Sequence, residues 1–166
     1  MRQFLLLAVF ILLSVIPVSA QKYGHLNFAN LRSEMPGIEA AEGQLEAYNQ
    51  ELVQEGERMV TALRSRVEEV QGQMDDLPPV RLEELRAELA RERDAIAAYE
   101  QQVPGKLEVK RQELLGPLIQ EARDAIDAVA KENGYEMIFD TSLFNSVLYG
   151  KDSDDLMDLV KAKLGI

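Results

Sequence analysis

The residues able to do chemistry in this 166-residue chain are few and scattered. There is no Cys, and His25 is the single His. A thiol nucleophile, a disulfide framework, a zinc finger and a redox pair are thereby excluded. His25 lies in a run with strand propensity, which accounts for it without a catalytic role. Ser33, Ser142 and Ser146 lack the strand–turn–helix elbow that activates a hydrolase serine. Carboxylates are abundant, but they sit on regular helix faces, where choosing two as an acid and a base would be arbitrary. Asp152-Ser153-Asp154-Asp155 has the look of a calcium-loop start, yet the required glycine and closing glutamate are missing, so helix capping is expected there. No glycine-rich phosphate loop occurs. The expectation is a protein that is not an enzyme, with no catalytic residue, no metal site and no cofactor.

Function must then lie in surfaces, and charge narrows which ones. Residues 1–20 read as a secretory signal peptide that is cleaved: Met1-Arg2-Gln3, then an apolar run from Phe4 to Ile16, then Val18-Ser19-Ala20 before the cut. The run is short for a bilayer span, which takes about 20 apolar residues. The remaining 146 residues carry 17 basic and 29 acidic side chains, since the leader takes only Arg2, for a net charge of −12. Nucleic acid is an unexpected partner for such a surface, and strong binding to anionic membrane is equally unexpected. An exported chain without disulfides must find its stability in packing or in assembly.

Residues 36–133 read as a helical hairpin arm, rich in Glu, Ala, Leu, Gln and Arg. One apolar stripe runs through Leu45, Tyr48, Leu52, Gly56, Met59, Leu63, Val67, Val70, Met74 and Leu77. A second runs through Leu82, Leu85, Leu89, Ile96, Tyr99, Val103, Leu107, Leu114 and Leu118. Between them Asp75-Asp76-Leu77-Pro78-Pro79 breaks the helix, which puts the tip at residues 75–80. Folding back there pairs positions whose numbers add to 159, such as Val70 with Leu89 and Leu63 with Ile96. One sum held over seven layers predicts a continuous antiparallel coiled coil. About 40 residues per limb make an arm on the order of 60 Å long. Gly43 then faces Gly116, with Pro117 next, and Gly56 faces Val103, with Pro104-Gly105 next. A proline inside a helix costs roughly 3 kcal/mol. Gly43, Gly56, Pro104, Gly105, Gly116 and Pro117 are therefore candidate hinges.

Residues 21–35 and 134–166 make a small body. Strands are expected at Tyr23–Phe28, at Tyr135–Asp140 and at Ser146–Tyr149. A last helix is expected to be capped by Asp152 or Ser153 and to end at Gly165. Three short strands and one helix bury too little to stand alone, so the sheet should close with copies of the same chain. Leu26, Phe28, Met137, Ile138, Phe139, Leu148 and Tyr149 are the candidate residues of that oligomer body. The fold class expected is thus mainly α with a small β body: a long antiparallel coiled-coil hairpin projecting from an oligomeric, β-rich body.

Glu132-Asn133-Gly134-Tyr135-Glu136-Met137-Ile138-Phe139-Asp140-Thr141-Ser142 resembles the OmpH/Skp family of periplasmic chaperones. So do Val147-Leu148-Tyr149, the Asp154–Leu164 helix, Asn27, Met35-Pro36 and Leu115-Gly116-Pro117-Leu118-Ile119. The resemblance implies a homotrimer with three projecting arms. It also implies ATP-independent holding of unfolded outer-membrane β-barrel proteins in the periplasm. The best-known members are basic, so binding of lipopolysaccharide or anionic lipid is not carried over to this acidic chain. Apolar client contacts are expected instead, with Met59, Val60, Met74 and Leu77 as candidates, because methionine adapts to varied partners. The alternative is a structural or adaptor protein of the envelope whose coiled coil binds one folded partner.

Overall fold

A computed structural model describes residues 21–166, and the expected signal peptide at 1–20 lies outside them. Two strands, β1 (Tyr23–Leu26) and β2 (Met137–Asp140), pair in parallel, Tyr23 opposite Met137 through Leu26 opposite Asp140. Parallel neighbours cannot be joined by a tight turn and need a crossover. Here the crossover is almost the whole molecule: α1 (Phe28–Glu34), α2 (Ile38–Gly72) and α3 (Pro79–Asn133). Helix α2 alone spans 35 residues, about 50 Å.

The local chemistry explains the boundaries. Asn27 takes extended geometry and its side chain accepts from the Asn30 N–H at 2.9 Å, which starts α1. Phe28 therefore opens a helix and does not continue the first strand. Gly37 adopts φ 89° and turns the chain into α2. Pro79 takes the first position of α3, where its missing N–H costs nothing. Gly134 closes α3 at φ 70°, with its N–H on the Ala130 carbonyl, and Lys131 lies in the last turn. The chain ends in α4 (Met157–Leu164), closed by Gly165 at φ 78°.

The core gathers at the base. Leu26, Leu31, Leu156 and Val160 are fully buried, and Met35, Ile38, Ala41, Leu115, Ala122, Ala125 and Val129 complete the cluster. The packed core thus draws on Ile38, Ala41 and Leu115–Val129, which the sequence pattern assigns to the arm. Strand β1 is its centre line. Besides β2, it meets Asp155 in a parallel bridge, and the Leu156 N–H donates to the His25 carbonyl at 2.9 Å. A Cβ on Gly24 would stand 2.7 Å from Leu156 Cδ1, so a bare backbone is required there.

Three expectations are corrected. Ser146–Tyr149 forms no strand but an open loop, in which Leu148 is 90 % and Tyr149 82 % exposed. Its strand propensity finds no ladder to join within one chain. The cap of the last helix is neither Asp152 nor Ser153, which lie in a 3-10 turn at Asp152–Asp154; the Asp155 carboxylate takes the Met157 N–H at 2.9 Å. The hairpin register also differs. Helix α2 already ends at Gly72, and residues 73–78 turn through bonds such as Asp76 N–H to the Gln73 carbonyl at 3.0 Å. Leu77 belongs to this turn. The nearest side chain to Gly56 is Tyr99, at 3.6 Å from a built Cβ, and Gly37 lies under Leu118 in the same way. Paired numbers add to about 155, one helical turn from 159. Apolar positions recur every three or four residues, so a one-turn slip sets apolar layers together again.

Candidate functional site

Two surfaces remain once the elements are in place: an open face on the body and the flanks of the arm. The body face follows from strand alternation. Gly24, Leu26 and Ile138 point toward the core, so Tyr23, His25, Met137 and Phe139 point away from it. Tyr23 and Phe139 meet with ring centroids 6.4 Å apart and planes tilted by 56°. The loop carrying Val147, Leu148 and Tyr149 lies alongside, and with Tyr23, His25 and Phe139 it borders a depression of about 540 Å³. His25 Nε2 lies 3.0 Å from the Lys151 carbonyl, and Gly150 sits so close that a Cβ there would fall 2.5 Å from the ring. His25 is thus the post that holds this loop. Leu143 and Phe144, earlier in the same loop, are also exposed, the latter at 95 %.

Asp140 ties this face to the start of α1. Its Oδ1 accepts from the Phe28 N–H at 3.1 Å and from the Ser142 N–H at 2.8 Å. Partial burial works against its ionisation, but the Ser142 hydroxyl, the Ser142 N–H and the Phe28 N–H together outweigh it and hold the carboxyl below its usual range.

Along the arm the four contact candidates fall in three places. Met59 is half-buried beside Ala62, Arg66, Glu92 and Ile96. Val60 opens onto the opposite flank with Val53, Gly56, Tyr99 and Val103. Met74 and Leu77 stand in the tip turn, Met74 exposed and Leu77 half-buried. They do not form one patch. Val53 and Tyr99 were available to sequence reasoning: Val53 and Val60 are seven apart and both flank the seam stripe, which marks a second apolar line.

Polar contacts hold the two limbs at defined heights. The Tyr99 hydroxyl donates to the Leu52 carbonyl at 2.9 Å. Its removal from water and the nearby Glu55 carboxylate hold the phenol above its ordinary value, so it remains a donor. Nearer the tip, Arg66 reaches across to Glu88 at 2.8 Å and to Glu92 at 3.3 Å, while Arg81 meets Glu84 at 2.8 Å and Glu88 at 3.7 Å. The hydrogen bond that Arg66 donates to the Glu88 carboxylate, then the Glu92 charge, hold Arg66 even more firmly protonated than usual. Of the hinge candidates, Pro104 and Pro117 lie inside an unbroken α3. Gly43, Gly105 and Gly116 have no atom within 4 Å of a built Cβ, so open space surrounds them.

Among the described residues no group of three or more His, Asp and Glu could hold a metal ion, and no helix is long and apolar enough to cross a membrane. These parts define a helical-hairpin protein: two long antiparallel helices rising from a small body, with a two-stranded parallel sheet. Residues 22–164 match the family described as outer membrane protein (OmpH-like), and the chain belongs to that family. Its fold is similar to the crystal structure of a candidate outer membrane chaperone (OmpH-like) from Caulobacter crescentus CB15. The two share 18 % identity at a TM-score of 0.71, over 88 % of this chain and 85 % of that one. No curated protein matches the chain.

Proposed function

We propose that the protein is an ATP-independent holdase of the periplasm, a homotrimer whose arms enclose unfolded outer-membrane β-barrel proteins and keep them from aggregating. The observation that carries this reading is the open apolar face of Tyr23, Met137, Phe139, Leu148 and Tyr149 on a body that a two-stranded sheet leaves unfinished. Monomeric proteins rarely expose a contiguous apolar patch of this kind. Joining three copies there covers the face and sets three arms around a common space. Membership of the OmpH-like family, and the likeness to a candidate outer membrane chaperone, support the assignment. The arms hold clients through many weak apolar contacts, which limit contact between clients without fixing their shape. The chain reaches the periplasm by its leader, and neither cofactor nor nucleotide takes part.

Light scattering on the 146-residue mature chain should give the mass of a trimer, and a larger one with a denatured β-barrel protein added. Several unrelated denatured β-barrel proteins should stay in solution at near-stoichiometric trimer. A monomer would remove the assembly, and a trimer that protects no client but captures one folded partner would make it an envelope adaptor.

A further inference from the structure

Midway along the arm the two flanks of the hairpin differ in a way that specifies an occupant. On one flank the Tyr99 ring is bordered by mixed charge: Arg58 is paired with Glu55, and Lys106 Nζ lies 4.9 Å from the ring centroid. The other flank is a groove of about 540 Å³. Its floor and walls are apolar, with Leu52, Val60, Tyr99 and Val103 around the bare backbone of Gly56. Val53 and Val60 remain 50 % and 42 % exposed. Its lips are Glu57 and Glu100, and neither makes an ion pair or side-chain hydrogen bond among the described residues. Of the side-chain donors in the lining, the Tyr99 hydroxyl is already taken by the Leu52 carbonyl, which leaves Thr61; Arg64, a turn nearer the tip, is not part of it.

We infer that this groove is a docking site for a segment of unfolded chain in which an aromatic or aliphatic side chain stands beside Lys or Arg. The apolar side chain fills the space left by Gly56 against Tyr99, and the cation satisfies the Glu57 and Glu100 carboxylates. A partner bringing acceptors or carboxylates would leave both carboxylates unpaired. The net charge of the whole chain, −11, favours the same cationic partner at longer range. The proposal rests on the holdase reading and names which segments of a client the arm selects.

Fluorescence anisotropy tests it on the full mature chain, with two labelled nine-residue peptides of alternating Phe and Ser that differ only in carrying two Arg or two Glu. The Arg peptide should bind at least about tenfold tighter. The double variant Glu57→Gln/Glu100→Gln should lose about fivefold of that affinity, and added salt should narrow the gap. Gly56→Leu should fill the groove and weaken the Arg peptide further. A Cβ at Gly56 meets Tyr99 at an ordinary 3.6 Å and helix propensity rises; circular dichroism checks that the arm stays helical, and the Gln variant carries the test if it does not. Equal affinity for both peptides, no binding of either, or wild-type affinity in both variants would overturn the docking site. Aggregation suppression, measured in parallel, judges the holdase separately. Clients protected by a chain indifferent to the peptides would leave the holdase standing and remove the groove.

Discussion

The same pair of helices lives in two different environments along its length. At the base, Ala122, Ala125 and Val129 fall on successive turns of α3 and are closed over by β1, α1 and α4. Farther out, between Gly43 and Leu114, only Leu52, Val70 and Leu85 are buried. Small residues at the base let a second layer approach, whereas the arm has no second layer. Its helices hold by their own hydrogen bonds, one seam, and charged pairs across it. Packing thus concentrates rigidity in the body and leaves the arm adaptable. The holdase role proposed above would use that division, because clients of many shapes cannot be met by one fixed surface.

The largest effect should come from breaking the body. Leu156 is 1 % exposed and packs on Gly24, so Leu156→Ala should cost about 2–5 kcal/mol in urea unfolding. The comparison predicts a specific signature. Body amides around Leu26 and Val160 should lose exchange protection at lower urea than in wild type, while arm helicity falls more gradually. Loss of both signals in one step would mean that the arm has no independence from its base.

Next in size is the arm's internal weakness. Pro104 leaves one helical bond unmade, so amides of Val103–Leu107 should exchange faster than those of Leu85–Leu89, where no proline intervenes. Pro104→Ala should restore the bond and gain up to about 3 kcal/mol of local stability. It should also slow exchange at that level and leave the body untouched. Equal protection of the two segments in the unmodified chain would remove the hinge.

A smaller effect sits inside the body, where β2 meets the start of α1. The Asp140 carboxyl is held below its usual range, so its contribution is complete above the usual carboxylate value of about 3.8 and disappears as pH falls through its lowered value. Asp140→Ala should therefore cost about 1 kcal/mol at neutral pH. It should cost almost nothing at the acid end of the transition. A cost that does not change with pH would mean that Asp140 serves by packing and not by accepting the Phe28 and Ser142 N–H groups.

What could be read in advance divides along the same line. The arm was legible because a period near 3.6 and a double proline are local signals, visible in Leu45–Leu77 and Pro78-Pro79. Its register was not, because apolar layers one turn apart are equivalent and only contacts such as Tyr99 to Leu52 distinguish them. In the body, β2 and the stop at Gly134 were legible from propensity and capping. The helix after Asn27 was missed because seven residues, Phe28–Glu34, show too little periodicity to outweigh a preceding strand. Ser146–Tyr149 misled in the other direction. Val147, Leu148 and Tyr149 favour extended structure, but a strand requires a neighbour, and one chain supplies none. The groove at Gly56 was half visible: the glycine and Pro104 stood out as weak points, while the walls that turn weakness into a binding surface come from both limbs.

The smallest expected effect tests whether charge truly replaces packing in the outer arm. Arg66 joins the limbs through Glu88 and Glu92, and its side chain is 43 % exposed, so the pairs are partly screened by water. Its Nε is the one buried side-chain polar atom among the described residues without a hydrogen-bond partner, facing Glu92 as a charge only. Arg66→Met keeps most of the aliphatic stem and deletes the charge. At low salt the variant should exchange its amides faster around Val70 and Leu85, the nearest buried seam positions, while Ala122–Val129 should not change. Near 1 M salt the screening length falls to about 3 Å, and variant and parent should converge. Persistence of the difference at high salt would assign Arg66 to packing by its stem. The outer arm would then be held in the same manner as the base, only more thinly.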